Sequence, residues 1–159
     1  MTYWLFLSED GATTRHPLPA VVLGGLENAS QPHQIADLRG PLLLNFWASW
    51  CVTCQAENKI LKSLRDDGIN IVGVSFRDRP EDAQQWLKTH GSPYQQVLID
   101  SEGVLAGKLG VKGAPETFLI DSEGNVRFHY QGLIQHRVWE ERIQPIYERL
   151  TPHDGTAHE

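Results

Sequence analysis

Cys51 and Cys54 are the two cysteines of this 159-residue chain, and they lie in the stretch FWASWCVTCQAE, residues 46–57. A sulfur pair at this spacing can be a structural disulfide, half of a zinc site or a working dithiol. As a staple it would enclose so few residues that little entropy leaves the unfolded chain. A chain of this length, 40% apolar, can bury a core without staples. Structural zinc is generally four-coordinate, with two cysteine pairs or a pair plus two close histidines. A second pair is absent and the seven histidines are scattered; His129 and His136 could be recruited, but no spacing ties them to the cysteines.

The elements around the pair favour redox chemistry. PLLLNFWAS, from residue 41, is a near-continuous apolar run of the kind buried on both faces of a central strand. Helical spacing begins after Cys51, with Ala56, Ile60 and Leu64 as the core stripe, Lys59, Lys62 and Arg65 on the wet side, and Asp66-Asp67-Gly68 as the stop. Cys51 therefore stands where a strand hands over to a helix. Unpaired N–H groups and the helix dipole there stabilise a thiolate and lower its pKa from about 8.5 to roughly 3.5–7.5 at comparable sites. Cys51 is the expected nucleophile, and Cys54, facing the core, the resolving thiol. Trp50 is either a core aromatic or a partly exposed apolar rim to the site.

The rest of the chain alternates in the same way. LPAVVL (18–23) and INIVGVSF (69–76) read as strands, and RDRPEDAQQWLKTHG as a helix with Pro80 near its start, Ala83, Trp86 and Leu87 on one face, and Gly91 as its stop. QQVLID and TFLID each run into Ser-Glu-Gly, so LIDSEG occurs twice, one turn chemistry used at two strand ends. NVRFHYQG completes a hairpin with TFLID. HRVWEERIQPIYERL is a terminal helix with Trp139, Ile143, Ile146 and Leu150 on one face and a kink at Pro145. The outcome is one α/β domain with a central mixed sheet flanked by helices. It covers 17–150, with an N-terminal extension 1–16 and a flexible tail 151–159.

A formal net charge of −6 without a Lys/Arg cluster argues against nucleic acid and anionic membrane surfaces as partners. No run approaches the roughly 18 apolar residues of a membrane span. Tyr3 to Leu7 is an ordinary strand or the stump of a longer anchor.

NFWASWCVTC followed by a helix resembles the thioredoxin superfamily. GVKGAPETFLID, 110–121, together with RVWEERIQPIYERL, narrows the likeness to the thioredoxin-like reductases of cytochrome c maturation, the CcmG or DsbE group, over roughly 17–150. The resemblance implies a thioredoxin-like fold and a thiol:disulfide oxidoreductase whose cofactor is its own dithiol, with no metal. It implies a periplasmic, membrane-anchored reductant of apocytochrome Cys-x-x-Cys-His segments or of a partner thiol protein, fed by a DsbD- or CcdA-type membrane donor. It further implies that Pro115 is cis and lies, with Ala114, against the dithiol. Glu57 matches the group's carboxylate one turn past the second cysteine, where it could accept the Cys54 proton; the alternative is a helix surface charge. Glu116, after Pro115, is expected beside the dithiol with Glu57, an acidic pair opposing the helix dipole; the alternative is an edge-strand charge. Asn45 stands where thioredoxin has a buried aspartate, and Val52 and Thr53 replace the usual proline between the cysteines. A general extracytoplasmic reductase and a non-catalytic apocytochrome-binding module are the other functions in play.

Overall fold

The run Leu42–Trp47 (β4) is buried at every position, and so is Ile71–Phe76 (β5), because these parallel neighbours are the centre of the sheet. The computed structural model describes residues 15–151. Outside the central pair lie β1 (His16–Pro17), β2 (Val22–Gly25), β3 (Pro32–Gln34), β6 (Gln96–Asp100), β7 (Glu116–Ile120) and β8 (Asn125–Gln131), giving the order β1-β8-β7-β4-β5-β6-β2-β3. β6 continues the parallel set, whereas β7 is antiparallel to β4 and to β8, so the sheet is mixed as expected. The residues Tyr3 to Leu7 and 152–159 fall outside the described range.

Helices α1 (Val52–Asp66), α2 (Pro80–His90) and α4 (136–150) lie on one face of the sheet, and α3 (Val104–Leu109) on the other. The division follows strand alternation. Leu43 on β4 packs with Leu61 and Leu64 of α1 and with Trp139, Ile143 and Ile146 of α4, while Trp47 packs with Ala83 of α2. Leu42, Leu44 and Phe46 point the other way, toward Leu105, Ala106 and Leu109 of α3 and toward Leu18, Leu23 and Ile35 of the N-terminal segment.

Several elements differ from the sequence expectation. Ala56 is exposed, and the buried face of α1 is Cys54, Glu57, Asn58, Leu61 and Leu64. A strict four-residue step advances 400° and drifts off the stripe, whereas steps of three and four alternate to hold it. Two polar residues on that face concealed the register. Lys62, expected in water, bonds the carbonyl of His90. The first long strand is shifted to Val22–Gly25, since Pro17 and Pro19 lack the N–H groups a ladder needs. The helix α3, short and rich in glycine at both ends, was not anticipated. A π-turn over Trp139–Ile143, which the sequence did not suggest, precedes Pro145, with the Gln144 N–H donating to the Trp139 carbonyl, and the helix runs on to Leu150.

The repeated LIDSEG does form the same turn twice. Gly103 and Gly124 have φ of +72° and +82°, and their N–H groups donate to the carbonyls of Asp100 and Asp121 at 3.0 and 3.1 Å. The two buried carboxylates then diverge. Asp100 receives the Leu105 and Ala106 N–H groups and starts α3, whereas Asp121 receives those of Glu123 and Asn125 and closes a hairpin.

The register of α1 is open to measurement by denaturant unfolding. Leu61→Ala, at a residue 1% exposed, should cost about 2–5 kcal/mol. Ala56→Ser should change stability by less than about 0.5 kcal/mol; equal costs would contradict the observed face.

Candidate active site

Cys51 is the N-cap of α1, with extended backbone (φ −94°, ψ 108°), and its Sγ accepts the Cys54 N–H at 3.2 Å. The helix terminus expected to stabilise an anionic sulfur is thus aimed at this atom. The two sulfurs are joined in a disulfide, with Cα atoms 5.4 Å apart. The Thr53 hydroxyl lies 3.6 Å from Cys51 Sγ. Both cysteines are buried among Trp47, Leu26 and Ala83. Trp50 is 52% exposed, so it takes the rim position and not the core one. Its indole N–H donates to the Arg77 carbonyl at 2.9 Å, which lays the ring on Phe76. Asp78 ties the same turn down, accepting the Ser49 N–H at 2.7 Å and the Ser49 hydroxyl at 2.8 Å.

The Ala114–Pro115 bond is cis, as the resemblance implied, and so is Gly40–Pro41. Ala114 packs against the cluster that holds both cysteines, and the Pro115 carbonyl accepts the Gly132 N–H at 2.9 Å. The loop carrying them is fixed by Glu116, whose Oε2 accepts the N–H groups of Lys112 and Gly113 at 2.7 and 3.0 Å. Its Oε1 receives His129 Nε2 at 2.7 Å, and the His129 ring stacks on Phe118. Burial alone would raise the Glu116 pKa, but the His129 hydrogen bond, the two amide donors and the His129 charge together hold it below the usual value.

Glu57 is 1% exposed, so the surface-charge alternative fails. It lies one turn beyond Cys54 on the buried face of α1. Its Oε1 accepts Asn45 Nδ2 at 2.7 Å and its Oε2 the Ile134 N–H at 2.8 Å. Desolvation outweighs these two donors and lifts its pKa from 4.5 to about 7. Asn45 Nδ2 also reaches Thr117 Oγ1 at 2.9 Å, and Asn45 Oδ1 accepts the Tyr94 hydroxyl at 2.7 Å.

The expected pairing of Glu57 with Glu116 is not what forms. Asn45 is opposite Thr117 and Phe46 opposite Glu116, so strand alternation puts Glu116 on the α3 face and Glu57 on the α1 face. Glu116 is spent on its own loop. Tyr94, Thr117, the Ile134 amide and Asp78 went unnoticed in the sequence, and His129, weighed there only as a zinc ligand, is instead the partner of Glu116. Gly73, inside an otherwise bulky strand, was the available signal for Tyr94: a Cβ there would sit 2.8 Å from the Tyr94 ring.

Comparison with known proteins agrees with this arrangement. The AhpC/TSA family model matches residues 15–129. The thiol:disulfide interchange protein DsbE of Escherichia coli K12 is 44% identical over 144 residues, covering 89% of this chain and 78% of that protein. DsbE of Haemophilus influenzae is 40% identical over 143 residues, covering 89% and 79%. A thio-disulfide isomerase from Thermus thermophilus superposes with a TM-score of 0.68 at 26% identity, covering 85% of this chain and 97% of that one. A secreted thiol-disulfide isomerase from Corynebacterium glutamicum gives 0.71 at 20% identity, covering 84% and 87%. With a thioredoxin-like fold and a Cys-x-x-Cys pair at Cys51 and Cys54, the chain belongs to the AhpC/TSA family and, within it, to the DsbE-type thiol:disulfide oxidoreductases.

Proposed function

We propose that this oxidoreductase works as a reductant in cytochrome c maturation, acting on Cys-x-x-Cys-His disulfides of apocytochrome c or on a partner thiol protein. The observation that carries a full reduction cycle is the cysteine pair capping α1 with a protonatable carboxyl buried one turn behind it. The cytochrome substrate rests on the resemblance of GVKGAPETFLID to reductases of that pathway. The protein acts in the periplasm, tethered by an N-terminal anchor, and is re-reduced by a DsbD- or CcdA-type membrane donor.

The placement of Cys51 at the head of α1 supports a cycle of two thiol–disulfide exchanges. The Cys51 thiolate, backed by the N–H groups at the head of α1, attacks one substrate sulfur, and the other substrate sulfur leaves as a thiolate. Cys54 then gives its proton to the Glu57 carboxylate and attacks Cys51 Sγ. The Cys51–substrate bond breaks, the two substrate thiolates take up the proton held by Glu57 and one from solvent, the substrate departs as a dithiol, and the Cys51–Cys54 disulfide remains. Two electrons pass from protein to substrate, and the donor restores them. Trp50, Ala114 and Pro115 form the lip against which the substrate backbone lies, and the buried Glu116 serves substrate binding by bracing the loop that carries Ala114 and Pro115.

Cys54→Ser should leave the first attack intact and block the second. An oxidised peptide bearing Cys-x-x-Cys-His should therefore accumulate as a mixed disulfide on Cys51, seen by mass spectrometry. Trapping by Cys51→Ser instead would invert the roles, and trapping by neither would favour a binding module.

Glu57 makes a pH-dependent prediction with a definite sign. Its folded pKa lies above its unfolded one, so its stabilising contribution is complete below about 4.5 and is lost as pH rises through about 7. The loss is roughly 3 kcal/mol, read as a falling unfolding free energy that Glu57→Gln flattens. The same substitution should slow resolution of the mixed disulfide by about 10²-fold and remove its inflection near neutrality.

Glu116→Gln should loosen the lip by weakening hydrogen bonds worth about 0.5–1.5 kcal/mol each. KM for the cytochrome peptide should rise several-fold while reduction of a small aromatic disulfide stays near wild type. Equal effects on both substrates would remove Glu116 from substrate binding.

A further inference from the structure

We propose that Tyr94 is a positioning residue for proton transfer: through Asn45 it sets the hand of the amide that faces Glu57. The inference rests on the reading of Glu57 as the Cys54 proton acceptor.

Tyr94, Asn45 and Glu57 form one chain of short hydrogen bonds, 2.7 Å from the Tyr94 hydroxyl to Asn45 Oδ1 and 2.7 Å from Asn45 Nδ2 to Glu57 Oε1. An amide has a donor end and an acceptor end. While Tyr94 donates to the carbonyl end, Asn45 presents N–H to Glu57, and an N–H favours the carboxylate. Turned over, the amide would present its oxygen, which only a protonated carboxyl can meet. The hydroxyl also polarises the amide and strengthens the bond at its far end. Thr117 shares Nδ2 with Glu57, whereas Tyr94 donates to the Oδ1 end, so the Tyr94 bond is the one that weights the observed hand.

The seat of Tyr94 is built for this contact. Asn45 is paired with Gly73 on β5, and the absence of a side chain there lets the ring lie across the strand, where a Cβ would come within 2.8–2.9 Å of three ring atoms. Trp47 stacks with the ring, centroids 5.8 Å and planes 22° apart. The preceding residues are held from α1: Asn58 donates to the carbonyls of His90 and Gly91, Lys62 to that of His90, and Arg65 to that of Ser92. One helix thus fixes both ends of the chain, Glu57 directly and Tyr94 through 90–92.

The titratable groups facing Glu57 are Tyr94, across Asn45, and Cys54, one turn back on α1. Its direct partners, Asn45 from β4 and the Ile134 amide from the loop before α4, do not titrate. Loss of the Tyr94 hydroxyl therefore reaches Glu57 through the amide.

The test follows the Glu57 carboxyl by carbon-13 NMR through a pH series of the reduced protein, alongside the pH profile of mixed-disulfide resolution. Tyr94→Phe should move the Glu57 titration upward by about half to one pH unit, and the resolution inflection should follow. Asn45→Ala should also raise it, and adding Tyr94→Phe to Asn45→Ala should add nothing. Gly73→Ala, which crowds the ring while keeping the hydroxyl, supplies a second route and should shift the titration in the same direction. An unchanged Glu57 titration in Tyr94→Phe, or shifts that sum in the double variant, overturns the proposal. A titration that moves while the resolution profile stays in place upholds the Tyr94 coupling and instead overturns Glu57 as proton acceptor.

Discussion

A carboxyl group with nearly no access to water sits between helix and sheet behind the cysteine pair, and the active-site half of the molecule is arranged around satisfying it. An unpaired buried carboxylate would be expelled or neutralised. Glu57 stays ionisable near neutrality because Asn45 and the Ile134 amide each occupy one oxygen. Those two donors come from the central strand and from the loop that leads into α4. Meeting both at once sets how α1 lies on β4 and where the chain re-enters after β8. The same face carries Leu61 and Leu64 into the core, so apolar burial and polar matching demand one register.

The front of the site is governed by a second carboxylate with the opposite electrostatic outcome. Glu116 is held ionised by His129 and two loop amides, and it stiffens the turn that presents Ala114 and cis-Pro115. A third, Asp78, anchors the Ser49–Trp50 turn. Each acidic group is defined by what it accepts from. All three hold backbone in place, and Glu57, the one beyond Cys54 on α1, is also left close to its own titration point. Keeping Glu116 and Glu57 on opposite faces of the sheet prevents the acidic pair that would have worked against a thiolate.

Much of this was legible in the residues. The buried runs Leu42–Trp47 and Ile71–Phe76, the cysteine pair at a strand-to-helix boundary, and the Gly110–Asp121 segment all declare themselves because local pattern and local chemistry coincide. Where they part, reading fails. The core face of α1 includes Glu57 and Asn58, so apolar spacing pointed to Ala56 instead. The strands His16–Pro17 and Pro32–Gln34 and the six-residue helix Val104–Leu109 are too short for periodicity to register. LIDSEG shows the limit most directly, since the same six residues make the same turn and then begin a helix once and a hairpin once.

The sequence by itself determined the reactive pair, its place at a helix start, the mixed α/β order and the group the chain resembles, since each depends on residues adjacent along the chain. Tertiary structure decided which side chains share a hydrogen bond across large separations. Asn45 meets Glu57, Thr117 and Tyr94, and Glu57 meets Ile134, only because the sheet register and the seating of α1 bring them together. Sheet alternation also decided that Glu116 and Glu57 face apart. A pKa depends on desolvation and on donors within hydrogen-bond reach, and both are properties of packing that no stretch of sequence contains.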